Sequence, residues 1–291
     1  MNASTTWEAG ADPTDTRARV AGTLKRLSRT GALPTLPAVA SAALALARDP
    51  DADIDRMCQI VRTDIGLSAR VLRLANSAAL GRRTPARRLN EAVVTIGLRK
   101  TTDVLVAACA RQLYDTGSPL AEAQWRHALA TAVASEKIAR ASRRADPSRA
   151  FLPGLFHDVG RVAFLLADEV SLRVIDRMVD ECAGDRATLE EEWYGFDHAQ
   201  AGAELAEDWG LALEQCDAIR WHHDPGTAGA AADLAAVINA ADGVAYAIGQ
   251  GVALWPPESV GLAALGLDAE AGQKLTEEIG EAFQENLAVL G

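Results

Sequence analysis

The residues best suited to chemistry in this chain are five histidines and two aspartates. The histidines, the only five in 291 residues, are His127, His157, His198, His222 and His223. His157 is followed at once by Asp158, in Leu155-Phe156-His157-Asp158-Val159-Gly160. Asp242 lies in the small-residue run Asn239-Ala240-Ala241-Asp242-Gly243. Neutral imidazole and carboxylate together suit borderline and hard divalent ions: iron, manganese, zinc or magnesium. Two such ions close together can clamp a phosphate and activate water at neutral pH. Each residue taken alone has a plainer reading. His127 would be a helix-surface histidine and His198 an N-terminal helix residue after the cap Asp197. His222-His223 would end a helix, where imidazolium meets a partial negative charge. Asp242 would be a buried, hydrogen-bonded acid.

The elements that must position these residues read as helices. Val20, Leu24 and Leu27 repeat at helical spacing in Arg17–Thr30, with Gly31 as a stop. Pro34 and Pro37 introduce a second helix that runs to about Arg48. Asp53 and Asp64 look like caps, the latter for a face of Leu67, Val71, Leu74 and Ala78 ended by Gly81. Asn90 is expected to cap the next helix. Asp115-Thr116-Gly117-Ser118-Pro119 is a turn cluster and a candidate boundary between lobes. Further helices are expected around Ala121–Ser142, Leu152–Ala167, His198–Trp209, Glu214–His222, Ala232–Ile248 and from Ala269 onward. Adjacent helical side chains diverge by about 100°, so His157 and Asp158 can share a metal only near a helix end. Pro153-Gly154 suggests such a helix start. No two-residue alternation or Asn-Gly turn signals a strand.

Bulk properties narrow the function classes. A net charge of −11 argues against a general nucleic-acid binder. The charge is uneven: Arg62–Lys100 carries nine basic and two acidic residues, Leu165–Arg220 four basic and fifteen acidic. Each run reads first as a solvated helix face. No apolar run reaches the roughly 18 residues that span a bilayer. Cys58, Cys109, Cys182 and Cys216 form no C-x-x-C pair and read as buried thiols, as expected in a reducing cytoplasm. Residues 1–17 read as a disordered polar leader without a signal-peptide core.

The order of the histidines resembles the HD superfamily series: His127, His157-Asp158, His198, His222-His223, Asp242. The first half narrows the resemblance. Leu33-Pro34-Thr35-Leu36-Pro37, the run Asp64 to Ser77 and Ala92-Val93-Val94-Thr95-Ile96-Gly97 resemble the HDOD (HD-related output domain) family. Asp197-His198-Ala199, Gly202-Ala203-Glu204-Leu205 and Trp209-Gly210 do so in the second half. The resemblance covers roughly Gly31 to Gly249. It implies an all-α, two-lobed architecture: a helical lobe over 18–115, an HD-like lobe over 116–250 and a helical extension over 251–291.

It also implies a bacterial role in signal transduction, for a family many of whose members have lost HD residues. Here the whole histidine series stands. The implied arrangement has His127, His157, Asp158 and Asp242 at one metal, and His198, His222 and His223 at a second. Arg161 is implied near a phosphate, where related HD-GYP phosphodiesterases carry a lysine. Their Gly-Tyr-Pro motif is missing after His222-His223. Arginine grips phosphate but does not readily give up a proton.

Three functions follow as expectations. The first is a regulatory module without turnover, binding a separate signalling protein or a nucleotide through the groove between lobes. The second is a metal-dependent phosphohydrolase acting on a nucleotide or phosphomonoester. The third is nucleic-acid binding by Arg70–Lys100, which the acidic chain disfavours.

Overall fold

Aspartate side chains open many of the helices. Asp53 accepts a hydrogen bond from Arg56 N at 2.7 Å and Asp64 from Leu67 N at 3.0 Å. Asp146, Asp185 and Asp197 cap in the same way. Each satisfies a first-turn amide that has no helical partner. The computed structural model describes residues 34–77, 80, 84–182, 185–252 and 259–290. The expected leader, the helix at Arg17–Thr30 and the stop at Gly81 lie outside these residues.

In chain order the helices are α1 (Ala38–Ala47), α2 (Ile54–Arg62), α3 (Ile65–Ala75), α4 (Leu89–Ile96) and α5 (Leu98–Ala110). Then come α6 (Pro119–Ser142), α7 (Pro147–Phe156), α8 (Val159–Cys182), α9 (Arg186–Tyr194) and α10 (His198–Asp208). The last are α11 (Leu213–Arg220), α12 (Ala232–Ala247), α13 (Gly261–Ala264) and α14 (Ala269–Leu290). Among the described residues there is no strand, so the fold is all-α. None of these helices is long and apolar enough to cross a membrane.

Three boundaries depart from expectation. α4 starts at Leu89 with Arg88 in the cap position, so Asn90 sits in the first turn. The Glu91 carboxylate takes the entry amides of Arg87 and Arg88 instead. Pro153 lies inside α7 rather than at a helix start. It has no N–H to give the Arg149 carbonyl, and Gln215 Nε2 donates to that oxygen at 2.9 Å. The helix expected over Leu152–Ala167 is two helices, broken at His157-Asp158. There His157 Nδ1 donates to the Gly154 carbonyl at 2.9 Å, closing the end of α7.

One apolar core runs from Leu36 and Met57 through Leu105 and Trp125 to Phe156 and Leu172. It passes the turn at 115–119, across which Tyr114 and Trp125 pack with ring centroids 5.6 Å apart. A second cluster joins Ile138 of α6, Leu234 and Ile238 of α12, and Leu275 and Ile279 of α14. α6 is the central rod, alanine-rich and buried over most of its length, which lets its neighbours approach closely. α14 packs on its own chain: Leu275, Ile279 and Phe283 face inward. Its C-terminal carbonyls take hydrogen bonds from Arg70 (to Val289, 2.7 Å) and Arg73 (to Ala288, 3.0 Å). Two cations of the basic stretch thus serve a helix C-terminus, where positive charge is favoured.

Candidate metal centre

Close helix packing brings the histidines together. α7 lies so near α6 that a Cβ on Gly154 would meet Ser135 Oγ at 2.5 Å and the Thr131 carbonyl at 3.0 Å. The same approach sets His157, at the end of α7, beside His127 on α6, with Nε2 atoms 3.3 Å apart. α8 meets α10 still more closely: a Cβ on Gly160 would fall 2.1 Å from the His198 carbonyl oxygen. Only glycine fits there. That contact puts Asp158 against His198, with Oδ1 3.2 Å from Nε2. α11 leads into His222, whose carbonyl accepts a hydrogen bond from Asn239 Nδ2 of α12 at 2.8 Å. One turn further along α12, Asp242 reaches His127 Nε2 at 3.2 Å.

The ring orientations are set from outside. His127 Nδ1 faces the Gln250 carbonyl at 3.0 Å, His157 Nδ1 that of Gly154 at 2.9 Å, and His222 Nδ1 that of Ile219 at 2.7 Å. His198 Nδ1 faces the Glu190 carboxylate at 2.5 Å. All four partners can only accept, so each Nδ1 carries the proton. In the neutral rings the bare Nε2 lone pairs therefore face inward. They gather around Asp158, whose oxygens lie 3.8 Å from His127, 3.6 Å from His157 and 3.9 Å from His222. His222 Nε2 and Asp242 Oδ1 are buried without a hydrogen-bond partner.

Buried lone pairs aimed at one another need positive charge between them. In the metal-free chain, protons provide some. Burial disfavours a charged His198, but the carboxylates of Glu190 and Asp158 overcome it and push the ring up to about 10. Burial and the neighbouring imidazoles hold His222 down to about 3. Burial would raise Asp158, yet His157, His198 and Arg161 hold it well below the usual carboxylate range.

These donors fit a divalent cation. Two groups could each hold one: His127, His157 and Asp158, and His198, His222 and His223. Their ligand atoms lie within 4.8 Å of one another in each group. Two nitrogens on one ion at roughly 2.1 Å stand about 3 Å apart. His127 and His157 meet that spacing at 3.3 Å, and His198 and His223 at 2.9 Å. Outer partners that accept a hydrogen bond from Nδ1–H are the usual support of metal-binding imidazoles.

All seven expected metal residues therefore come to one place, Asp242 beside the first group through His127. Arg161 joins the centre from behind Asp158: its guanidinium meets Asp158 at 3.1 Å and Asp176 at 3.4 Å and is buried. Glu190 carried no signal of its own in the sequence. It is fully buried and accepts from both the backbone N (2.8 Å) and Nδ1 of His198. Gln250 was missed as well, since its backbone carbonyl does the work.

The family model of the HDOD domain matches residues 33–225, which leaves Asp242 beyond the matched stretch. A crystal structure of an HDOD domain protein of unknown function from Geobacter sulfurreducens superposes with a TM-score of 0.73 at 25% identity. The superposition covers 96% of this chain and 98% of that one. A protein from Shewanella amazonensis SB2B, provisionally named a phosphohydrolase, gives 0.74 at 24% identity over 94% and 98% of the two chains. An uncharacterized protein of Treponema pallidum is 25% identical over 193 residues, 66% of this chain. This chain spans only 38% of the length of that relative.

Proposed function

This chain belongs to the HDOD family, and we propose that it is a regulatory signalling module whose histidine centre holds one or two divalent ions. One observation carries the proposal: four Nε2 atoms gather around Asp158, each ring held by a proton donated outward from Nδ1. Such a set is costly to bury unless a cation joins it. In this reading the first ion takes His127, His157, Asp158 and Asp242, and the second takes His198, His222 and His223. Iron, manganese, zinc or magnesium suits these donors. Arg161 acts as a positioning residue for Asp158. The module acts by binding a separate signalling protein or a nucleotide. Buried free thiols at Cys58, Cys109 and Cys216 suit a reducing compartment.

A second reading, a metal-dependent phosphohydrolase, is favoured by one feature. His223 is exposed and the Asp158 side chain is 13% exposed, so solvent reaches one side of the centre. An ion held there supplies Lewis acidity to a phosphoester.

The test is elemental mass spectrometry on untagged protein beside a His157→Ala/Asp158→Ala double variant. One or two equivalents of metal are expected in the parent, and less than about a tenth in the variant, because binding needs the full deprotonated set. Equal metal in both would sink the proposal. A phosphoester panel with manganese or iron supplied separates the two readings. Turnover lost in the double variant would establish the hydrolase.

A further inference from the structure

The two helices that end at the histidines begin together at a cleft. α7 ends at His157-Asp158 and α11 leads into His222-His223. Their first residues line a space of about 530 Å³ shared with α1 and α5. That volume lies within the roughly 300–1,000 Å³ of small-ligand sites. Both helices point their N-terminal, partially positive ends at it.

The side chains in the cleft have two complementary kinds of chemistry. Arg48, Arg99 and Arg149 supply cations. Arg48 reaches across from the end of α1 and lies against Gly210, whose φ is +85° and whose Cβ would meet Nη2 at 2.8 Å. Arg149 is paired with Glu214 at 2.5 Å. Arg48 and Arg99 are exposed at the cleft. Two aspartates line the same space: Asp146 is occupied in capping α7 through Ser148 N, and Asp103 is only 5% exposed. No described residue donates a hydrogen bond to its carboxylate. A buried carboxylate without donors is costly, and a ligand with N–H groups relieves that cost. Leu44 and Leu152 add apolar lining to the same space.

A ligand that fits carries both an anionic group and paired N–H donors. We infer that this cleft binds a guanine nucleotide, with its phosphate on Arg48 and Arg99 and its base on Asp103. Guanine presents two adjacent N–H donors, which match the two oxygens of an ionised carboxylate. The adenine edge offers one donor and one acceptor, and an ionised carboxylate only accepts. Arginine holds phosphate through two parallel hydrogen bonds. This inference deepens the reading above by naming the ligand class, and its test is independent of the metal.

Isothermal titration calorimetry on the full chain, near pH 8, with GMP, AMP and inorganic phosphate tests it. GMP is expected to bind at least about tenfold more tightly than AMP or phosphate, as a pair of charge-assisted hydrogen bonds implies. Arg48→Ala/Arg99→Ala, which changes two exposed side chains, should weaken GMP by about tenfold or more. Asp103→Asn should bring GMP to the level of AMP. No binding of GMP by the parent chain, equal binding of GMP and AMP, or unchanged binding in the arginine double variant would each overturn the inference. Metal content of the same samples reports separately on the histidines: full metal with no GMP binding rejects the cleft alone.

Discussion

The histidine centre and the cleft occupy opposite ends of α7 and α11, and they are built from opposite materials. The centre gathers rare residues whose side chains leave almost no other use for their geometry. The cleft is lined by arginines and two aspartates, types abundant along the whole chain. The centre depends on helix contacts that admit no extra atom, at Gly154 and Gly160. The cleft is open space. A close-packed site and a roomy one thus stand at the two ends of the same rods.

Gly160→Ala should produce the largest change. Its Cβ would sit 2.1 Å from a backbone oxygen, which no rotamer relieves. A loss of about 3 kcal/mol is expected, at the upper end for overpacking. Thermal denaturation together with metal content would show it. A variant with parental stability and metal would mean that the α8–α10 contact does not build the centre.

Glu190→Gln comes next. It keeps the volume but removes the charge that orients His198. Metal affinity should fall by about 10–100-fold, the usual effect of removing such a support. Chelator competition measures it, and the fold should survive because the hydrogen-bond geometry is retained. Unchanged affinity would show that His198 needs no help from behind.

Asp103→Asn tests the other end, through stability and its pH dependence. Burial raises the Asp103 carboxyl to about 7, with Lys100 and Arg99 opposing and Glu136 assisting. Because the folded-state value is raised, the parent chain is most stable where Asp103 is protonated. That stability is lost as pH rises from the ordinary carboxylate range through about 7. At about 1.4 kcal/mol per unit, half of that displacement is worth about 2 kcal/mol. Asp103→Asn should therefore raise the melting temperature at pH near 8 and leave it almost unchanged near pH 4. An equal change at both would remove the titration from the account.

Much of this was legible in the chain itself. Helical periodicity and aspartate caps placed most helices, and the five histidines with Asp158 and Asp242 marked the centre. Arg186–Tyr194 was missed because it is charged and has little apolar stripe. Within it, Glu190, Glu191 and Glu192 are chemically identical in sequence, yet only Glu190 is buried behind His198. The break at His157-Asp158 was missed because the apolar pattern of Leu152–Ala167 runs straight through it.

Residue type and order therefore determined which side chains can do chemistry and that helices carry them. Tertiary structure decided which nitrogen of His127 faces inward, since that depends on the Gln250 carbonyl 123 residues away, whereas His157 and His222 are oriented by carbonyls only three residues upstream. It also decided that Arg161 faces Asp158 and Asp176, that Arg70 and Arg73 cap α14, and that Asp103 lines a cleft. Hydrophobic periodicity sets local faces. Which two faces meet, and what each buried polar group finds there, is settled only when the helices pack.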